Sequence, residues 1–184
     1  MTELNHRIAA GWARFHSLKA ELTGKFYNVG CRIKLFQAAI TTTVLYGCAT
    51  WALTKKMCEA LETTRRKMLR YVLRVFRRRD ETWVEYLQRS AREVKKCDEH
   101  FGLTSWTYAY KSSKWKFAGQ LARRTDHRWS ALVCTWKPPA YKRAVGRPLT
   151  RWVDDIATYA GGDWDSLAMD EARWKEHEAG FCMN

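Results

Sequence analysis

The chain has 184 residues, the length of one ordinary domain or two small ones, and 46% of them are hydrophobic, which indicates a folded protein. The 33 Lys and Arg residues outnumber the 19 Asp and Glu residues, so the formal net charge is +14. Lys or Arg interrupts every apolar run before the ~20 residues that a membrane-spanning helix needs, and the N-terminus lacks the apolar centre of a signal peptide. We therefore expect an intracellular protein of the nucleus or cytoplasm, neither secreted nor bound to a membrane.

The first half of the chain has the spacing of amphipathic helices. A first helix carries six apolar residues spaced three and four apart: Leu4, Ile8, Trp12, Phe15, Leu18 and Leu22. A second helix is predicted over 31–46 and ends at Gly47, and Thr54 is placed to cap a third. One side of the third helix is apolar: Leu61, Met68, Val72 and Val75. A fourth helix begins near Asp80 and Glu81 and turns four residues toward the core: Trp83, Leu87, Ala91 and Val94.

The second half continues in the same way. Helices are predicted over 105–124 and around Trp129, and a basic loop follows over 137–148. The proline that ends this loop suits the first turn of another helix, and a last helix carries Trp164 and Trp174. No stretch alternates as a strand does. The prediction is an all-α fold of about eight helices, with a smaller helical C-terminal half.

Positive charge is concentrated in two stretches. Residues 55–79 hold ten Lys and Arg against two acids, and residues 111–151 hold eleven against one. Residues 152–184 are acidic instead, with eight Asp and Glu against two cations. Such a polarised molecule attracts polyanions and speeds their encounter.

Arginines on the third predicted helix give the strongest signal. Arg66, Arg70 and Arg74 follow one another at steps of four, which places them on one line roughly 6 Å apart. Few acids lie nearby in sequence, so a row of phosphates would relieve their repulsion and release counterions. A solvated helix face is the other interpretation of such a row. The candidate nucleic-acid-binding residues come from both basic stretches: Arg66, Arg70, Arg74, Arg77, Arg78, Lys114, Lys116, Lys142, Arg143 and Arg147.

Aromatic residues alternate with the cations of the second basic stretch, where bases could stack beside phosphates. Trp106, Tyr110 and Phe117 fit the core face of their helix, so most of these rings are predicted to be core. Trp136 and Tyr141 are the better candidates for exposed rings.

The sequence offers no catalytic group, metal site or cofactor site. Asp154 and Asp155 follow an aromatic residue, as in the metal-binding hairpin of polymerases, but their surroundings have helical spacing and acids are favourable in a first helical turn. The cysteines have no paired spacing, and the nearest metal-like pattern, Cys97 with His100, lacks a second half. We expect free thiols in a reducing compartment.

Several segments, taken together, resemble the region after the catalytic palm in LINE-type non-LTR retrotransposon reverse transcriptases. In the first half these are RIAAGWARFHSL, TTTVLYGCATWALT and LETTRRKMLRYVL. In the second half they are the Trp115-x-x-x-Gly119 pattern, Trp136, GRPLTRWVDDI, Trp164, and Ala168-x-Asp170-x-x-x-Trp174. The resemblance extends from about Arg7 to Trp174.

This resemblance implies a helical thumb-like region over 1–98 and a helical C-terminal tail region over 99–184. The thumb of the family grips the primer–template backbone, so the implied partner is an RNA–DNA or RNA duplex, bound without sequence preference. Members of the family are RNA-directed DNA polymerases, but the catalytic palm that the resemblance implies would lie upstream in a longer chain. We therefore expect a fragment that is inactive alone and needs no cofactor.

Three alternatives remain open at this point. The basic helix could dock on the acidic tail of another copy or on an acidic partner, which would make the chain a protein-interaction module. The chain could be a non-functional remnant of a retroelement. A metal-dependent nuclease or polymerase using Asp154 and Asp155 is the third.

Overall fold

The computed structural model describes residues 3–124, 129 and 151–184, and every regular element in these ranges is helical. The helices are α1 (Glu3–Ser17), α2 (Lys19–Thr23), α3 (Val29–Leu35), a π-helical turn (Phe36–Thr41), α4 (Thr42–Val44), a 3₁₀ turn (Cys48–Thr50), α5 (Lys55–Val72), α6 (Trp83–Phe101), α7 (Trp106–Ala122), α8 (Asp154–Ala160), α9 (Trp164–Met169) and α10 (Glu171–Met183). The predicted all-α fold of about eight helices is confirmed for this part of the chain. The basic loop over 137–148 lies outside it.

None of the helices described is both long and apolar enough to cross a membrane.

The chain divides into two compact units. Unit 1 comprises Met1–Tyr46 and Lys55–Thr107, and unit 2 comprises Gly47–Thr54 and Tyr108–Asn184. The short segment of unit 2 between the two parts of unit 1 is tied to its own unit by hydrogen bonds. The Tyr110 hydroxyl donates to the carbonyl of Trp51 at 3.1 Å, and the Trp152 indole donates to the carbonyl of Ala49 at 2.7 Å. The assignment of 1–98 and 99–184 to two regions of a reverse transcriptase stays a prediction.

Unit 1 is built around apolar residues of α1 to α6. The fully buried positions of α5 include Leu61, Met68 and Val72, which confirms these three residues of the predicted apolar side, whereas Val75 lies beyond the end of the helix and is half-buried. The second predicted helix is one continuous helix, α3 to α4, with a π-helical turn in its middle. Gly11 of α1 allows close approach to this helix, because a Cβ at that position would lie 2.3 Å from Cγ2 of Val44.

Helix α6 differs from its prediction at the start and on its buried face. Thr82 caps it through a capping box with Glu85, so the helix begins at Trp83. The buried residues are Ser90, Val94 and Cys97. The prediction of a core face is confirmed for Val94 and wrong for three residues that are exposed: Trp83, Leu87 and Ala91.

Unit 2 is organised by two stacked tryptophans. The rings of Trp115 on α7 and Trp174 on α10 lie 3.7 Å apart between centroids and are nearly parallel, at 6°. Each indole N–H donates to the other residue's backbone carbonyl, at 2.8 and 3.0 Å. The buried cluster around them also contains Ala118, Ile156, Trp164, Ala168, Phe181 and Cys182. The predicted core role of aromatic residues in this region is confirmed for Trp106 and Tyr110, which are buried in their own units, whereas Phe117 is half-buried.

The described cysteines are free thiols: Cys31, Cys48, Cys58, Cys97 and Cys182. Burial raises the pKa of Cys97 and of Cys182 to about 11, so both remain protonated at neutral pH. Within the described residues, no group of three or more His, Cys, Asp or Glu side chains is placed to hold a metal ion.

Candidate nucleic-acid interface

Helix α5 ends earlier than its sequence suggests. Its last residue is Val72, and Arg74 adopts a φ of 60° in the left-handed region usually occupied by glycine. The amide of Val75 donates to the carbonyl of Arg70 at 2.9 Å, and the amide of Arg74 to that of Tyr71 at 3.0 Å. These two bonds form a Schellman-type C-cap. The prediction that Arg74 continues the row of Arg66 and Arg70 on one helix is therefore wrong.

Arg74 instead stabilises the fold at a helix end. Its guanidinium donates to the backbone carbonyl of Thr23, the last residue of α2, at 3.2 Å. Arg32 is 7% exposed and donates in the same way to the carbonyl of Val72 at the end of α5. Cations at helix C-termini offset the negative end of the helix dipole. Burial first, and the nearby charge of Arg74 second, lower the pKa of Arg32.

The segment between α5 and α6, residues 73–82, is called the basic turn because it carries Arg74, Arg77, Arg78 and Arg79. Arg89 on α6 holds it in place: its guanidinium donates to both carboxylate oxygens of Glu81, at 2.7 and 2.8 Å, and to the carbonyl of Phe76 at 2.8 Å. The Tyr86 hydroxyl donates to the carbonyl of Val75 at 3.3 Å. The turn is thus a fixed platform.

Glu81 makes the stability of this turn depend on pH. The hydrogen bond from Arg89 is the main cause that lowers the pKa of the Glu81 carboxyl from 4.5 to about 2. Since the folded-state pKa lies below the unfolded one, Glu81 contributes stability that is complete above about pH 4.5 and is lost as the pH falls toward 2. Glu81→Gln is expected to be less stable than the wild type at neutral pH, with a difference that shrinks steadily over this acid range. Urea unfolding at a series of pH values measures it.

The exposed Glu99→Gln variant controls for the loss of one negative charge from unit 1. A constant difference between the Glu81→Gln variant and the wild type from neutral pH to pH 2 would contradict this role of Glu81.

Six cations of α5 and the basic turn form no ion pair with a described carboxylate, and we call them the α5 surface: Arg66, Lys67, Arg70, Arg77, Arg78 and Arg79. Arg66 is exposed and donates to the carbonyl of Glu62 at 3.3 Å. Arg77 is exposed and donates to the carbonyl of Glu81 at 2.9 Å. Among the described residues, none of the ion pairs includes a cation of the α5 surface. Arg65 differs from them: it is buried and paired with Asp98.

An open cleft of about 230 Å³ adjoins this surface, and we call it the aromatic cleft. Three cations and four aromatic residues line it: Lys67, Arg70, Arg77, Tyr71, Phe76, Trp83 and Tyr86. The aromatic members were not among the predicted site residues. The Thr82-x-x-Glu85 capping box was the signal that could have placed Trp83 on the first turn of α6 beside the arginine run.

The predicted cations of the second basic stretch differ in their exposure and in their ion pairs. Lys114 has a side chain that is 1% exposed, with its ammonium 2.8 Å from the carboxylate of Asp155, so a phosphate cannot reach it in the folded unit. Lys116 is exposed and pairs with Glu178 at 3.1 Å. Three further candidates and the two predicted exposed rings lie outside the described residues: Lys142, Arg143, Arg147, Trp136 and Tyr141.

No family model matches the chain, and no solved structure matches it. An uncharacterized transposon-derived protein of Caenorhabditis elegans, F52C9.6, is 28% identical to it over 187 residues. The chain is similar to a transposon-derived protein. The similarity covers 95% of this chain and 63% of the relative, so the chain spans less than two thirds of that protein.

Proposed function

We propose that the chain is a transposon-derived, nucleic-acid-binding helical region of a non-LTR retrotransposon reverse transcriptase. It would hold the backbone of an RNA–DNA or RNA duplex through the α5 surface and do no chemistry itself. The observation that carries this proposal is the set of cations on α5 and the basic turn that form no ion pair with a described carboxylate. The similarity to the transposon-derived relative supports the origin, and the motifs named above support the reverse transcriptase.

Backbone contacts explain why the binding would tolerate any sequence. Lys and Arg neutralise phosphates and release their condensed counterions, which contributes affinity without reading a base. The α5 surface suits this role because its cations lie on a capped helix and on a turn that Arg89 fixes from α6. Fewer side-chain and backbone rotations are then lost on binding than in a disordered basic tail.

The salt dependence of binding tests the proposal. The triple variant Arg66→Ala, Arg70→Ala, Arg77→Ala removes three cations that make no ion pair with a described carboxylate. Each lost phosphate contact lowers the slope of log K against log salt by roughly 0.7–0.9, so the slope should become shallower by about 2 to 3. Titration of an RNA–DNA hybrid at several salt concentrations, followed by fluorescence anisotropy, measures it.

The matched control is the triple variant Arg92→Ala, Lys95→Ala, Lys96→Ala on α6. It removes the same charge from exposed positions of the same unit. Its two lysines, Lys95 and Lys96, pair with Glu99 and Glu93, respectively. Its slope should stay close to that of the wild type. Equal slopes for all three proteins would refute the α5 surface as the binding site.

The acidic residues of 152–184 favour one competing function, in which the α5 surface docks on this segment of a second copy. That hypothesis predicts concentration-dependent dimerisation that salt dissociates, together with no binding to the hybrid. Sedimentation velocity on the wild-type protein at several salt concentrations distinguishes the two proposals.

A further inference from the structure

We infer that the aromatic cleft receives an unpaired nucleobase, so that the α5 surface binds a duplex with a single-stranded overhang more tightly than a blunt one. This inference rests on the proposed function, because it requires phosphates on the α5 surface. Beyond that function, the inference specifies which kind of nucleic acid the site prefers.

Two rings of the cleft are exposed to an extent that the fold does not require. Trp83 is 58% exposed and Phe76 is 53% exposed. Large exposed aromatic rings next to each other lose the free energy that burial would provide, and such patches mark binding sites more often than scattered residues do. The capping box places Trp83 on the first turn of α6, and the bond from Arg89 to its carbonyl holds Phe76 in the basic turn.

The other two rings form a fixed wall. The ring of Tyr71 meets that of Phe76 at 63°, with centroids 6.2 Å apart, and rests edge-on against Trp12. The ring of Tyr86 contacts two guanidinium groups, those of Arg70 and Arg89, whose carbon atoms lie 5.9 and 5.8 Å from its centroid. Trp83 is tilted at 44° to Tyr86 with centroids 5.4 Å apart. A flat ligand in this cleft therefore meets aromatic rings whose positions are held by neighbouring side chains.

The charges at the cleft select the chemistry of that ligand. Lys67, Arg70 and Arg77 line it, and none of its described lining residues is acidic. An unpaired nucleotide brings a flat base and a phosphate together, which matches rings beside cations. An extended peptide that pairs with the backbone of the basic turn fits less well, because the carbonyls of Val75 and Phe76 already accept bonds from α6. The groups of the cleft that remain available to recognise a ligand are aromatic rings and cationic side chains.

Two RNA–DNA hybrids of equal paired length, one blunt and one with an unstructured overhang, test the inference on the full chain. The wild type should bind the overhang hybrid about tenfold more tightly, the effect of one good base–aromatic stack. Trp83→Ala should lose this preference, because its affinity for the overhang hybrid falls to that for the blunt one. Trp83→Phe should keep most of it. The fluorescence of a 2-aminopurine base in the overhang should be quenched when the hybrid binds to the wild type. It should not be quenched when the hybrid binds to Trp83→Ala.

Phe26→Ala is the matched control, because this ring is fully exposed in the same unit and does not line the cleft. It should keep the preference. Equal binding of both hybrids by the wild type, or an equal loss on both in Trp83→Ala, would overturn the inference. An acidic peptide that binds in a Trp83-dependent way while the overhang does not would also overturn it and would identify a protein partner. Failure to bind either hybrid would instead refute the proposed function.

Discussion

Replacing Trp174 with alanine is expected to destabilise unit 2 by about 3–5 kcal/mol, the range for removal of a large buried aromatic side chain. Trp174 is 3% exposed and stacks on Trp115 at a centroid distance of 3.7 Å. The substitution also removes the indole N–H that donates to the carbonyl of Trp115, whereas the Trp115 indole keeps its acceptor, the backbone carbonyl of residue 174. Guanidinium unfolding followed by circular dichroism and near-ultraviolet absorption measures the change.

Two further variants separate the causes of this loss. Trp174→Phe keeps a ring in the stack but removes the donor to the carbonyl of Trp115, which should cost about 1 kcal/mol, the typical net value of one hydrogen bond. Trp129→Ala makes the same substitution as Trp174→Ala at a position that is 80% exposed, and should change stability by less than ~0.5 kcal/mol. Similar losses in Trp174→Ala and Trp129→Ala would contradict the stacked pair as the centre of the unit.

The same pair explains motifs that carried the family resemblance. A Cβ added at Gly119 would lie 2.5 Å from Nε1 of Trp174, so the Trp115-x-x-x-Gly119 pattern provides one turn of α7 on which the second indole can rest. Trp164 and Ala168 belong to the same buried cluster. These motifs describe the packing of unit 2, and the proposed binding function depends on residues elsewhere.

Periodicity predicted the helices well where their buried faces are regular. Leu61, Met68 and Val72 of α5 are buried as their spacing indicates. It could not predict the π-helical turn over Phe36–Thr41, because a spacing argument assumes the same number of residues in every turn. It also could not predict the end of α5, since an arginine in the left-handed C-cap position carries none of the signal that a glycine would.

The sequence predicts that the candidate site is positively charged. It does not predict which of the charged side chains are exposed on the surface. The sequence places Arg65, Arg66 and Arg70 in one basic stretch, but only the fold shows that Arg65 is buried against Asp98, 33 residues away. The buried state of Lys114 likewise depends on a partner 41 residues away, on α8. Which cations face solvent is decided by such long-range pairs, and no local pattern encodes them.

Asp155 provides the clearest test between a structural and a catalytic aspartate pair. Its carboxylate, on α8, is the partner of the buried Lys114 ammonium at 2.8 Å, whereas Asp154 is exposed and accepts a bond from the amide of Arg151 at 2.6 Å. Asp155→Ala removes the carboxylate that faces a buried ammonium and should cost about 3 kcal/mol, the lower end of the range for buried pairs because Asp155 itself is partly exposed. Asp154→Ala should cost only about 1 kcal/mol, the typical value of one hydrogen bond.

The double variant Lys114→Met, Asp155→Ala distinguishes this electrostatic cause from a general loss of packing. Because it removes the buried charge together with its partner, it should be more stable than Asp155→Ala alone. The Nζ of Lys114 also lies 5.4 Å from the ring centroid of Trp152, a contact that the methionine side chain can replace in part. If the double variant were less stable than Asp155→Ala, the pair would not be the reason for the loss. A Mg²⁺-dependent nuclease or polymerase activity that Asp155→Ala abolished at unchanged stability would instead favour the catalytic alternative, and we expect no such activity.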